Sequence, residues 1–437
     1  MRALSLSFAL SFATLCVPAL TAGPLWAAPA FQDGNDPGAA QPMTADDLAS
    51  WILAANPGLA AIEAAAEAAA YRIEPAGSLD DPTLSYAVAP LTASADRSLN
   101  QKIDFSQKIP WPGTLAARES AARFEAVAAD RDADLLRLQV IAQAKSAHAE
   151  WWFIESALDI HHATLGLLDD LLATAQTRYA SGRAQKQDVL QAEVERAELD
   201  KHLLGLLRQR TAVQARINAL LSRAPDTPLP AAAPIPQQST TPTLEDLQTL
   251  ALARHPELSR LDAAISASES RITLAEKAFF PDFQFGVGYD SLWDPTDKRP
   301  VFGVSINVPL DRSKRRSELD RARAETRRTK YSLSERRAGL LAELATVHAE
   351  VAEAQLSVDI YQSELVPLTA EYLDAAIADY QSGAGAFLNV ITAEQRKLNT
   401  DLELARARSD YARRLAELEL WAGGPLSAPL PMPAGAR

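Results

Sequence analysis

The sequence predicts a mostly α-helical α+β membrane protein, a tandem-duplicated protomer of long coiled-coil-like helices with four transmembrane β-strands. Three observations predict it. The stretch Thr114 to Ser181 holds no proline and a single glycine, Gly166. As one helix it would run roughly 100 Å, several times the length of an ordinary globular helix. The same succession of prolines, strands and turns occurs twice in the chain. Each copy contains two segments in which apolar and polar residues alternate with a period of two.

The long stretch comes first in the argument because no single compact core could surround it. Its second half carries an apolar seam at steps of three and four: Trp151, Ile154, Leu158, His161, Leu165, Leu168, Leu172, Ala175 and Tyr179. That spacing keeps the seam on one face of a supercoiled helix. The turn Ser181-Gly182-Arg183-Ala184 ends it, with glycine suited to the left-handed cap. A second seam follows, from Val189 and Ala192 through Leu199 and Val213 to Leu220. A short connection between two such helices predicts an antiparallel hairpin.

The strands precede the hairpin. Leu84, Tyr86 and Val88 alternate with Thr83, Ser85 and Ala87, and Ile103, Phe105 and Ile109 alternate with Lys102, Asp104, Ser106 and Lys108. In the second copy Phe283, Phe285, Val287 and Tyr289 alternate with Gln284, Gly286, Gly288 and Asp290; Phe302, Val304 and Ile306 alternate with Gly303, Ser305 and Asn307. Pro57 and Pro256, Pro82 and Pro281, and Pro110 and Pro309 are each 199 residues apart, whereas Tyr179 and Tyr380 are 201 apart. An internal repeat of this size organises the whole chain.

The expected organisation is a signal peptide over 1–27, a first repeat over 28–243, a second over 244–423 and a flexible tail over 424–437. In the first repeat the strands fall at about 83–90 and 101–109, the long helix at 113–180, the return helix at 186–222 and a proline-rich linker at 223–243. In the second the strands fall at about 282–290 and 301–309, the long helix at 313–381 and the return helix at 387–422. The signal peptide is read from the basic start, the apolar run Leu4 to Leu20 and the small residues around Ala27. Cys16, the chain's one cysteine, lies in this segment, so no disulfide framework is expected.

Four strands leave two open edges, which a long-lived sheet must cover. Apolar residues on one face and small or polar ones on the other are the pattern of a transmembrane barrel, facing lipid through Phe283, Phe285, Val287, Tyr289, Phe302, Val304 and Ile306. Three copies would supply twelve strands and leave no edge. A homotrimer inserted in lipid is the expectation from the residues alone.

A net charge of −13 argues against a nucleic-acid partner. The sequence carries no nucleophile elbow, phosphate loop or zinc spacing, so no enzyme, metal or cofactor is expected. His148 and His348 occupy equivalent repeat positions without acidic or cysteine partners at ligand spacing, and packing or solvated roles are expected for all six histidines. Gly166 and Pro367 occupy equivalent places 201 residues apart, and both loosen or bend a helix; a hinge is expected at their level. The basic residues Arg312, Lys314, Arg315 and Arg316 follow a strand, as a solvated first turn or an anchor at the membrane interface.

The two turns read Tyr179-Ala180-Ser181-Gly182 with Asp188 and Val189 beyond, and Tyr380-Gln381-Ser382-Gly383 with Asn389, Val390 and Thr392 beyond. With the duplication and the strand-to-helix turns Ile109-Pro110-Trp111-Pro112-Gly113 and Val308-Pro309-Leu310, the chain resembles the TolC-like outer-membrane efflux channels, nearest their heavy-metal and drug efflux branch. The resemblance implies a trimeric twelve-strand barrel in the outer membrane of a Gram-negative-type envelope, continuing as an α-barrel through the periplasm. It implies a passive conduit for an inner-membrane efflux pump and a periplasmic adaptor (membrane fusion) protein, with the two tips as docking site and entrance. The acidic pair of the family's second tip is replaced here by Asn389 and Thr392, which removes the expected carboxylate ring. A conduit for type I protein secretion and a periplasmic coiled-coil adaptor or scaffold are the competing readings. An adaptor would carry one hairpin between β-rich domains rather than two, each preceded by strands.

Overall fold

The computed structural model describes residues 41–89, 100–236, 242–291 and 299–426. The expected signal peptide with Cys16, the loop tips at 90–99 and 292–298, residues 237–241 of the linker and the tail from 427 lie outside the described residues.

Each repeat opens with short helices. In α1 (Ala45–Ala55) Thr44 and Asp47 form a capping box: the Asp47 amide donates to Thr44 Oγ1 at 3.1 Å and the Thr44 amide to Asp47 Oδ2 at 3.0 Å. Asn56 caps α2 (Pro57–Ala70), where proline fits the first helical position. A turn at Tyr71 and Arg72 separates α2 from α3 (Ile73–Gly77). Pro75 is the physical reason: it has no N–H for the Tyr71 carbonyl four residues back, and its ring crowds that carbonyl. The second repeat opens with α6 (Leu244–Arg254) and α7 (Pro256–Lys277), capped by Thr243 and His255.

The strands β1 (Thr83–Ala89), β2 (Asn100–Ile109), β3 (Asp282–Asp290) and β4 (Pro300–Asn307) form one antiparallel sheet in that order. The register carries the sequence alternation straight across. Leu84, Phe105, Val287 and Phe302 form one cross-strand row; Ile109, Phe283 and Ile306 form another. The repeats therefore meet at the β2–β3 pair, which joins residues about 180 positions apart.

From the sheet run the long helices. Gly113, at φ +86, turns the chain into α4 (Thr114–Ala180), a 67-residue helix answered by α5 (Lys186–Leu220). Asp311 caps α8 (Arg312–Ile360), with its carboxylate accepting from the Lys314 amide at 2.9 Å. The run expected as one helix over 313–381 is helical throughout but not uniformly α-helical. A π-helical turn, Tyr361–Leu365, separates α8 from α9 (Val366–Ser382), and α10 (Phe387–Ala422) returns.

Register accounts for that turn. Along α4 and α8 the buried positions match at a spacing of 200: Ala133 with Leu333, Val140 with Leu340, Ala144 with Leu344, Ala147 with Val347, Trp151 with Val351, Leu158 with Val358. Beyond the π-turn they match at 201: Leu168 with Thr369 and Ala175 with Ala376. One extra residue in an α-helix makes a wide turn, and here it keeps both halves of the seam on the same face. At the equivalent place α4 continues through Gly166 unbroken.

Three buried clusters lie along the helices. One gathers Leu48, Ile52, Val140, Ala144, Trp151, Ile154, Val213 and Ile217; a second gathers Leu250, Leu258, Leu340, Leu344, Val351, Tyr411 and Leu418. A third joins both hairpins near their tips. The linker is held as an extended belt. Met43 and Ala232 form a parallel bridge, Trp151 Nε1 donates to the Pro230 carbonyl at 3.1 Å, and Glu155 accepts from the Ala232 amide at 2.8 Å. His148 bonds the Met43 carbonyl at 2.8 Å, and His348 bonds the Pro242 carbonyl at 3.3 Å, a duplicated belt contact. Burial holds His148 below its ordinary titration range, so it is a neutral strut.

Candidate functional site

The sheet has one bare apolar face. Phe302 is 79% exposed, Leu84 71%, Val304 63% and Tyr86 61%, and Phe285, Val287, Tyr289 and Ile306 are exposed beside them. Phe283 shares this face at its helix-proximal end, half-buried. A contiguous patch of this kind marks contact with another molecule or with lipid. The opposite face is polar: Gln284 donates to Ser106 Oγ at 2.9 Å, and Lys102–Asp104 and Lys108–Asp282 pair at 3.0 and 3.2 Å. Gly288 leaves room there for Asp104, whose Oδ1 would lie 2.5 Å from an added Cβ. At the strand-to-helix junction Trp111 stacks on Phe280 at 4.8 Å and on Phe283 at 6.1 Å. Phe280 was not singled out by periodicity, because it falls between a helix and a strand; its signal was the neighbouring Pro281. The basic residues Arg312, Lys314 and Arg316 are exposed just below the sheet, and Arg315 pairs with Glu318.

At the far ends of the hairpins the two turns are built alike. Arg183 and Ala384 donate their amides to the Arg178 and Asp379 carbonyls, and Gly182 and Gly383 donate to Tyr179 and Tyr380. Ser181 and Ser382 hydroxyls donate to the same Arg178 and Asp379 carbonyls. Both glycines are left-handed, at φ +72 and +83, which closes a Schellman cap.

The side chains around the turns differ. Tyr179 is half exposed, while Tyr380 is buried against Phe387, with rings 5.1 Å apart, and under the Arg178 guanidinium. Tyr380 donates to Asp188 Oδ2 at 3.4 Å; burial and then Asp188 push its phenol above the usual range. Arg178 also donates to the Gln381 carbonyl, so the first tip holds the second. Val390 is fully buried and Val189 partly so. Asn389 is exposed, and the Thr392 hydroxyl is turned back to the Leu388 carbonyl. The structure brings Tyr179, Ser181, Gly182, Asp188, Tyr380, Ser382 and Gly383 to one end. Pro367 lies just past the π-turn, and Gly166 lies in regular helix with open space beside its Cα.

Sequence reading passed over two carboxylates near this end, Glu195 on α5 and Glu394 on α10. Glu394 is buried, and neither of its oxygens has a hydrogen-bond partner. Nothing in the local sequence distinguishes them from the exposed glutamates of the same helices.

Residues 247–424 match the family model described as outer membrane efflux protein. The fold agrees over nearly the whole chain: it superposes on the outer-membrane channel OprN with a TM-score of 0.75 at 18% identity, covering 87% of this chain and 90% of that one. The second repeat thus resembles the outer membrane efflux proteins in sequence, and the whole chain shares the fold of the outer-membrane channels. The fold also resembles that of the outer-membrane protein VceC of Vibrio cholerae (TM-score 0.73, 20% identity, 88% and 97% covered) and of CusC (0.74, 16%, 87% and 92%). In sequence it is 22% identical over 309 residues to the solvent efflux pump outer membrane protein SrpC of Pseudomonas putida, covering 66% of this chain. It is 22% identical over 314 residues to the pyoverdine export outer membrane protein OpmQ of Pseudomonas aeruginosa, covering 69% of it. The chain spans 63% and 64% of the length of these two relatives.

Proposed function

We propose that this protein is the outer-membrane conduit of a tripartite efflux system, passive and without catalytic chemistry of its own. The observation that carries the reading is the four-strand sheet, β1 and β4 outermost among the described residues, with one bare apolar face and continuous with long seamed helices. Such a sheet is a third of a twelve-strand barrel. Three copies satisfy every backbone group in lipid and enclose the polar face, with Gln284, Ser106 and Asp104, as a lumen. An inner-membrane pump supplies the energy, and a periplasmic adaptor meets the six hairpin tips of the trimer. Arg183 and Ala384 flank the tip glycines and are exposed, which supports that contact. Gly166 and Pro367 lie at the level where the tunnel tapers, and the π-turn supports a bend on the second hairpin.

The test begins with the detergent-extracted mass, expected to be that of three chains. Phe285→Lys places a charge toward lipid and costs about 2–4 kcal/mol near the midplane. It should reduce assembled trimer in outer membranes, whereas Gln284→Lys should not. Photo-crosslinkers at positions 183 and 384 should capture the adaptor. A soluble monomer, or equal tolerance of the two lysines, would refute the reading.

A further inference from the structure

Glu394 is not used by anything described above. It is 2% exposed, and both carboxylate oxygens lack a hydrogen-bond partner. Its neighbours in sequence, Ile391 and Ala393, belong to the apolar cluster that joins α10 to Ala192 and Leu199 of α5. The charged groups that act on it are few. Glu195, from α5, has the same sign; Lys397, one turn along α10, has the opposite sign but is engaged by Asp401 at 2.5 Å. Glu195 itself accepts from Gln395 Nε2 at 2.6 Å and has Glu198 and His202 on its own helix as charged neighbours. No titratable group of α4 or α9 contributes to the electrostatics of Glu394. An ionised carboxylate in such a place loses its hydration and gains no donor in return. Burial first, and then the Glu195 charge, raise the Glu394 carboxyl to about 7.

We propose that Glu394 is a proton-operated latch between the two hairpins: neutral, it lets α10 lie against α5 near the tips; ionised, it moves toward water and frees that end of α10. The latch is a property of the packing. Its consequence, an entrance that loosens as pH rises, rests on the conduit reading. The sign follows from linkage. The packed arrangement holds the proton more tightly than a solvated carboxyl, whose ordinary value is 4.5. Its advantage is whole below about pH 4.5 and declines as pH rises to about 7. Between pH 5 and pH 8 the ratio of loosened to packed tips should rise by up to about a hundredfold.

The experiment uses the full-length protein in detergent, with spin labels at exposed positions 186 and 384, one on each hairpin. In the wild type the inter-label distance distribution should broaden between pH 5 and pH 8. Glu394→Gln should keep the narrow distribution at both values. Glu195→Gln, which removes the like charge but leaves Glu394 titratable, should shrink the change. A wild-type distribution that does not move with pH, or one that moves equally in Glu394→Gln, overturns the latch. Single-channel conductance read on the same samples separates the two ideas. If label distances follow pH as described but no current passes at any pH, the latch stands and the conduit fails.

Discussion

Trp151 shows how much one side chain holds. It has no exposed surface, donates to the Pro230 carbonyl and lies under the Arg210 guanidinium at 5.0 Å. It therefore couples the core of the first hairpin to the belt. Trp151→Ala should cost about 3–5 kcal/mol, measured by chemical denaturation. Hydrogen exchange should show the belt around 229–233 losing protection, while the tip cluster keeps it. The apolar seam made Trp151 legible as core from its spacing alone. The belt carbonyl it bonds was not legible, because proline-rich segments carry no periodicity from which to read their contacts. Arg196 and Arg210 sit at seam positions without joining an apolar core, and pair instead with Asp169 and Glu155 on α4. A long side chain can leave the seam with its charge while its stem covers it.

At the scale of elements the π-turn is the informative departure. It takes up the residue by which the spacing of the repeats grows from 200 at Trp151 and Val351 to 201 at Ala175 and Ala376. Deleting Ser363, an exposed residue of that turn, should convert it to regular α-helix and leave both seams in register. Deleting Thr164 from α4 should instead rotate everything beyond it by about 100° and expose Leu168 and Ala175. Thermal unfolding should therefore leave the Ser363 deletion close to wild type and lower the transition of the Thr164 deletion. If the tips move about the π-turn, the Ser363 deletion should also stiffen them. Equal destabilisation by both deletions would show that the turn is not a one-residue insertion. The strands were the most legible elements, because a period of two survives any tertiary context that keeps one face apolar. The break after Ala70 also has a local cause, Pro75, one turn beyond it.

For the molecule as a whole, acid acts in opposite directions at its two levels. His148 and His255 are held below their ordinary value of 6.5, mainly by burial. A base with a lowered folded value gives up stability as pH falls below about 6.5, because the unfolded chain takes the proton first. His148 fastens the belt, and His255 stacks on Trp421 and caps α7. Glu394, with its raised value, adds stability over the same descent from about 7 to 4.5. Acidification from pH 7.5 to 5 should therefore loosen the belt level and tighten the tips. Hydrogen exchange, corrected for intrinsic rates, reads both regions at once, and a uniform change along the helices would contradict this.

The sequence by itself determined the duplication, the long helices, the four strands and which face of each strand is apolar. Each of these is a periodicity, and periodicity survives without knowledge of neighbours. Only the tertiary structure decided that the repeats join through β2 and β3, since that pairing links residues separated by most of a repeat. It also decided that Tyr380 is buried while its counterpart Tyr179 is half exposed, because the second hairpin supplies Phe387 and the first supplies Arg178 and Asp188. And it decided that Glu394, one glutamate among many, is buried at 2% exposure. Burial of a charge depends on which helix lies opposite, and no local pattern in α10 records the approach of α5.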